Sequence, residues 1–226
     1  MVRAVVATIK PWNVDIYKKS VSRFPGDWRL VQSPEELTAD FIDSFRPDYV
    51  FFPHWSLRVP DWLLGQTQCV CFHMTDVPFG RGGSPLQNLI VRGVSTTIVS
   101  ALKMVPQMDA GPVYLKRPLP LEGRAQDIYE RCGLLVFDMI EEIVRTKPVP
   151  VEQTGPITVF SRRTPDESLL PTDGNQKSLY DHIRMLDADT YPPAFLEWGN
   201  LRLEFTHAQP ERDGVAARVF IRRRET

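Results

Sequence analysis

Val2 to Ile9 is a short apolar run rich in β-branched residues, the pattern of a buried first strand. Trp12 to Phe24 is amphipathic and reads as a helix, and Trp28 to Val31 as a short strand. Ser33-Pro34-Glu35-Glu36 offers an N-cap, a proline at the first helical position and acids in the first turn, so a helix is expected from there to about Phe45. Asp48 to Pro53 and Gln68 to His73 read as further strands, with a short helix from Val59 to Leu64 between them. A helix from Pro85 to Arg92 and a strand from Thr96 to Met104 follow, and Val113 to Leu121 alternates as an antiparallel strand would. Arg124 to Arg145 is the longest helical pattern, with Ile128, Cys132, Leu135, Met139 and Ile143 along one face.

Strands alternating with helices predict an α/β fold: a mostly parallel sheet with flanking helices. Ligands of such sheets sit beyond the C-terminal strand ends, which selects the segments after Phe52, Phe72 and Met104. Lys147-Pro148-Val149-Pro150 marks a boundary, so residues 1–150 are expected to form the main domain and 151–226 a small C-terminal α+β appendage. That appendage begins with a polar loop from Ser161 to Asp173. A helix from Gln176 to Leu186 and a hairpin about Gly199-Asn200 follow.

Composition narrows the classes. The 226 residues suffice for one sizeable core with an appendage, and 42% hydrophobic with 24% charged residues is ordinary for a soluble protein. A net charge of −1 gives no bulk electrostatic case for nucleic-acid binding. The three cysteines, Cys69, Cys71 and Cys132, have no disulfide-framework spacing, and Cys-x-Cys without a second ligand pair is a poor zinc signal. No run approaches the roughly 18 apolar residues of a membrane span, and the N-terminal apolar run is too short for a signal peptide. A cytoplasmic protein with no metal and no membrane partner is the expectation.

The chemistry concentrates in Cys71-Phe72-His73-Met74-Thr75-Asp76-Val77-Pro78-Phe79-Gly80-Arg81-Gly82-Gly83-Ser84-Pro85: a histidine at a strand end, a Gly-rich turn, a helix start. It lacks the Gly-Lys-Ser/Thr of a phosphate-binding loop and the spacing of a dinucleotide fingerprint. A second polar loop, Gln107-Met108-Asp109-Ala110-Gly111-Pro112, follows the next strand, so His73 and Asp109 can line one crevice. Gly beside Asp in a loop is also ordinary turn chemistry, and a histidine at a strand end is also ordinary core.

These segments resemble the active-site stretch of the 10-formyltetrahydrofolate-dependent formyltransferases. His73, Pro78, Arg81, Gly82 and Pro85 fall on that family's motif, and Met108-Asp109-Ala110-Gly111 on its Met-Asp-x-Gly loop, 36 positions beyond the histidine. Phe160 to Asp166 and Ile183 to Phe195 resemble the tails of amino-sugar N-formyltransferases. The resemblance implies a Rossmann-like sheet, a formyl donor of the 10-formyltetrahydrofolate type and a catalytic pair of His73 and Asp109. Cys71 stands where the family has asparagine, and a thiol is a much poorer hydrogen-bond donor than an amide. Gln87 and Asn88 lie close enough in sequence to be replacements. Main-chain groups around Trp55, Ser56 and Leu57, and around Lys103, Val105 and Gln107, correspond to the folate loops. Thr75, Arg81, Gly82 and Gln87 correspond to the acceptor side. Trp12 follows the first strand and could stack on a sugar or base, although core packing is the simpler reading of an aromatic there.

Formyl transfer is acyl transfer to a neutral amine, and needs a proton acceptor and a donor for the oxyanion. The expected acceptor is an amino sugar carried on a nucleotide, with no nucleic-acid partner. The edge of the C-terminal hairpin offers a pairing surface for a homodimer. The rivals are formylation of methionyl-tRNA, purine-pathway formyl transfer and a folate-binding protein that has lost catalysis. The net charge and the short tail disfavour the tRNA reading.

Overall fold

Strand β1 (Arg3–Ala7) is central, because four of its five residues are fully buried and β-branched or small. After it come α1 (Pro11–Ser20), β2 (Asp27–Val31), α2 (Ala39–Phe45), β3 (Tyr49–Phe52), α3 (Asp61–Gln66) and β4 (Gln68–His73). The chain continues through β5 (Arg81–Gly82), α4 (Pro85–Val91), β6 (Thr96–Lys103), β7 (Val113–Pro120) and α5 (Ala125–Thr146). It ends with β8 (Val159–Phe160), α6 (Gln176–Arg184), β9 (Ala194–Trp198), β10 (Leu201–Glu211) and β11 (Gly214–Arg223). The structure is a computed structural model and describes residues 1–189 and 191–224. Among the described residues no helix is long and apolar enough to cross a membrane.

Contacts group the chain into two units: Met1–Gly82, Thr97–Leu119 and Glu130–Val159 in one, Gly83–Thr96, Pro120–Tyr129 and Phe160–Thr226 in the other. The first unit holds a six-stranded sheet in the order β2-β1-β3-β4-β6-β7. Strands β1 to β4 are parallel, with Ala7 opposite Val31, Val6 opposite Phe51 and Phe52 opposite Cys71. One face packs Val5, Ala7, Val50, Phe52 and Cys69 against Ile42 of α2 and Leu63 of α3. On the other, Phe24 stacks on Phe137 of α5 and Trp28 on Phe51. Gly133 lets α1 approach α5 closely, since a Cβ there would lie 2.8 Å from Ile16 Cδ1. Strand β6 runs antiparallel to β4 and places Ser100 opposite His73. Lys103 N–H donates to the Pro112 carbonyl (2.9 Å), which fixes the start of β7 beside the end of β6.

The helix expected from Ser33 to Phe45 is two elements. Pro34–Glu36 is a single 3₁₀ turn, and α2 starts at Ala39, where the Thr38 hydroxyl accepts the Phe41 N–H at 3.1 Å. Thr38, not Ser33, is the cap.

The second unit builds around α4, the first turn of α5, α6 and a sheet in the order β11-β10-β9. Arg184 is buried there; its guanidinium donates to Asp181 (2.7 Å) and to the carbonyls of Leu121 (2.6 Å) and Gly123 (3.0 Å). The hairpin of β9 and β10 about Gly199-Asn200 matches the alternation in the sequence. Strand β11 was not anticipated. Its signal is the pair Arg212-Asp213 followed by Gly214: the strands are joined by this two-residue turn, with Glu211 opposite Gly214.

Candidate active site

Period-two alternation puts Cys69, Cys71 and His73 on one face of β4, and His73 is its last residue. The loop that follows is tied to β6: Thr97 Oγ1 donates to the Met74 carbonyl (2.9 Å) and Ser100 Oγ to that of Thr75 (2.8 Å). Thr75 is fully buried and its hydroxyl donates to the Gly80 carbonyl (3.3 Å). The same carbonyl accepts His73 Nε2–H at 2.7 Å. The other ring nitrogen, Nδ1, lies 3.5 Å from Asp109 Oδ2. Two acceptors thus face the two ring nitrogens. With Nε2–H held on Gly80, Nδ1 is the atom left to exchange a proton.

Asp109 sits at φ +52°, a left-handed conformation that short polar side chains tolerate better than most. Its Oδ2 also accepts the Gly82 N–H (2.9 Å), so one carboxylate oxygen bridges the turn after β4 and the ring of His73. The structure therefore brings His73, Asp109, Gly82, Thr75 and Cys71 together. Cys71 has no hydrogen-bonding amide to offer. Burial and the nearby Asp109 carboxylate push its thiol far above the usual range, which keeps it protonated and non-nucleophilic.

The remaining expected residues have other partners or surroundings. Arg81 Nε and Nη2 both donate to Gln153 Oε1 (3.1 and 2.7 Å), so much of its donor fork is spent on a side chain that the sequence did not single out. Gln87 belongs to the second unit. Its amide nitrogen donates to Met185 O (2.9 Å) and Tyr129 Oη (3.1 Å), which uses both amide protons. Asn88 Nδ2 donates to the carbonyls of Gly83, Ser84 and Ser161. Neither amide stands in for the family's asparagine.

Beyond β3, the Trp55 indole Nε1 is buried with no hydrogen-bond partner among the described residues, while Ser56 and Leu57 are exposed. Lys103 and Gln107 are exposed and Val105 is half-buried at the end of β6. Trp12 is buried edge-on against His54, ring centroids 5.9 Å apart, so it packs as core. Asn13 Nδ2 donates to His54 Nδ1 (3.0 Å).

Desolvation and the charge of Lys10 lower the His54 pKa from 6.5 to about 4. The unfolded chain binds this proton near 6.5 and the folded chain does not. The stability it contributes is therefore present above pH 6.5 and is lost as pH falls through about 4. Melting temperatures measured from pH 7 to 4 are expected to fall less steeply for His54→Asn than for the parent. Identical slopes would contradict this.

A solved methionyl-tRNA formyltransferase from Clostridium thermocellum is 40% identical to this chain, with a TM-score of 0.96 over 99% of this chain and 100% of that one. The chain belongs to the formyltransferase family. The family model described as "Methionyl-tRNA formyltransferase, C-terminal domain" matches residues 165–222. Among curated relatives, the methionyl-tRNA formyltransferase of Wolbachia pipientis is 22% identical over 88% of this chain and 73% of its own length. That of Anaplasma marginale is 28% identical over 55% of this chain, so the aligned part is 46% of that relative. Members of the family take the formyl group from 10-formyltetrahydrofolate, as the resemblance implied.

Two expectations are corrected. The acceptor is not assigned as an amino sugar: a sugar N-formyltransferase of known structure from Shewanella shares the fold at 14% identity, and a protein of Mycobacterium tuberculosis described as a likely sugar N-formyltransferase at 20%, both well below the methionyl-tRNA enzyme. Of the tail segments ascribed to amino-sugar enzymes, Ile183 to Phe195 lies within the matched methionyl-tRNA formyltransferase C-terminal model, and Phe160 to Asp166 reaches it only at its last two residues. The exclusion of a nucleic-acid partner also falls. It rested on the short tail, which nonetheless matches that C-terminal domain over residues 165–222, and on net charge, which sums the whole chain, whereas a polyanion senses local charge. Arg218 and Arg223 of β11 are exposed on the second unit.

Proposed function

We propose that this chain formylates the amino group of methionine carried on tRNA, using 10-formyltetrahydrofolate as donor. The likeness to the Clostridium enzyme, 40% identical over the full length of both chains, carries the reading. The match of residues 165–222 to the C-terminal domain of such enzymes supports it.

The site has the parts that the reaction needs. The donor supplies the formyl carbon. The buried Trp55 Nε1–H, left without a partner, suits an acceptor atom of a bound heterocycle, and main-chain groups at Lys103, Val105 and Gln107 would form the second wall. His73 holds a proton on Nε2 against Gly80 and can take one from the attacking amine at Nδ1. Asp109 faces that nitrogen and stabilises the charged ring. Thr75 and Ser100 keep the Gly80 turn in place, which keeps the ring in one orientation.

Purified protein with methionyl-tRNA and 10-formyltetrahydrofolate is expected to yield formylmethionyl-tRNA. Failure to formylate methionyl-tRNA while still binding tetrahydrofolate would overturn the acceptor assignment. Cys71→Asn returns an amide to the face that His73 occupies. Losing an oxyanion donor costs about 10²–10³ in kcat elsewhere, so a partial gain of roughly tenfold is expected here in single-turnover assays. A fall in rate would show that the site is built around the thiol.

A further inference from the structure

We infer that Gln153 is a positioning residue that locks Asp109 in its working place. The inference rests on the catalytic reading of His73 and Asp109 given above. Gln153 lies between α5 and β8, in a segment whose neighbours Val151, Glu152 and Thr154 are exposed while Gln153 itself is half-buried. Its amide nitrogen donates to the carbonyls of Asp109 and Gly111, each at 2.8 Å. Its amide oxygen accepts Nε and Nη2 of Arg81. Two donors and two lone pairs are the whole capacity of a primary amide, and all four are used.

The main chain around it is strapped to the same loops. Val151 exchanges both backbone hydrogen bonds with Val113 (2.7 and 2.9 Å). Thr158 donates to the Pro78 carbonyl (3.1 Å) and accepts from Arg81 N–H (3.0 Å). One side chain thus joins the loop that carries Asp109 to the turn that carries Gly82. Those are the two segments the Asp109 carboxylate must bridge to reach His73. Asp109 needs such a clamp because its left-handed backbone is sparsely populated without external support. A glutamate cannot serve. It would keep the pairing with Arg81 but turn a carboxylate toward two carbonyl oxygens and lose both donors.

The experiment compares Gln153→Ala and Gln153→Glu, alone and with Asp109→Asn, by single-turnover formyl transfer. Side-chain ¹⁵N resonances of His73 in the labelled full-length protein provide a second readout. Each single variant is expected to lose at least tenfold in kcat. Adding Gln153→Ala to Asp109→Asn is expected to cost less than a further twofold, because Gln153 acts through Asp109. The His73 ring resonances should move in Gln153→Ala as they do in Asp109→Asn. The proposal is overturned by a kcat within twofold of the parent, by losses that multiply, or by unmoved His73 resonances. The resonances need no turnover, so an error in the proposed acceptor leaves this test intact.

Discussion

Replacing His73 with alanine is expected to lower the single-turnover rate of formyl transfer by about 10²–10⁴, the usual worth of a positioned acid–base group. The ring has one nitrogen that donates to Gly80 and a second that can accept a proton, whereas the Cys71 thiol is kept protonated by burial and by Asp109. The change also strips Gly80 O of its 2.7 Å donor. Thr75 Oγ1 still donates to that carbonyl, so the lost hydrogen bond costs only about 0.5–1.5 kcal/mol and the protein stays folded. Asp109→Asn removes the charge beside Nδ1 but keeps an oxygen that can accept from Gly82 N–H. It is therefore expected to lose rate with little change in Tm. Thermal melts and single-turnover kinetics on the same preparations separate the two effects. A His73→Ala protein that turns over within tenfold of the parent would place the chemistry elsewhere.

The strands and helices of the first unit were legible because burial and period coincide there. Gln68 to His73 was expected as a strand and is one, since its residues alternate faces between two well-paired neighbours. The same reasoning misplaced the start of α2. Ser33-Pro34-Glu35-Glu36 has the composition of a helix start, but Leu37 leaves the helical region (ψ 62°) and Thr38 caps afresh. The reversal of β6 was not legible, because crossover rules speak to parallel partners and a loop with a short helix can return the chain either way. In the site, His73 and Asp109 could be found because two loops at strand ends each carry one chemically distinctive residue. Gln153 could not. It bonds to main-chain carbonyls and to one arginine, and main-chain partners impose no pattern on the residues that supply them. The acceptor expectation rested on tail segments that formyltransferases with different acceptors can share, and the exclusion of a nucleic-acid partner on net charge and tail length. Net charge is a property of composition and says nothing of where exposed arginines such as Arg218 and Arg223 lie.

A single methyl group at position 111 is expected to reduce kcat by about 10²-fold, the scale on which a displacement of roughly 1 Å is felt at an active site. The Cβ of Gly111→Ala would sit 1.7 Å from the Lys103 carbonyl oxygen and 2.9 Å from its carbon. No rotamer relieves this overlap, because the obstacle is main chain. Nor can Lys103 give way freely, since its N–H is bound to the Pro112 carbonyl (2.9 Å), one residue beyond the substitution. The loop of Asp109 must therefore move, and it is the loop whose carboxylate meets Gly82 N–H at 2.9 Å and His73 Nδ1 at 3.5 Å. The glycine of the Met-Asp-x-Gly motif is thus required by the close approach of two strand ends. Gly65→Ala is the matched control. Nothing lies within 4 Å of a Cβ there, and alanine in the helix α3 should raise stability by up to about 1 kcal/mol without touching the rate. Single-turnover rates for both proteins, with melts to show that each is folded, decide the matter. A Gly111→Ala protein with the parent's rate would mean that the placement of Asp109 does not limit formyl transfer.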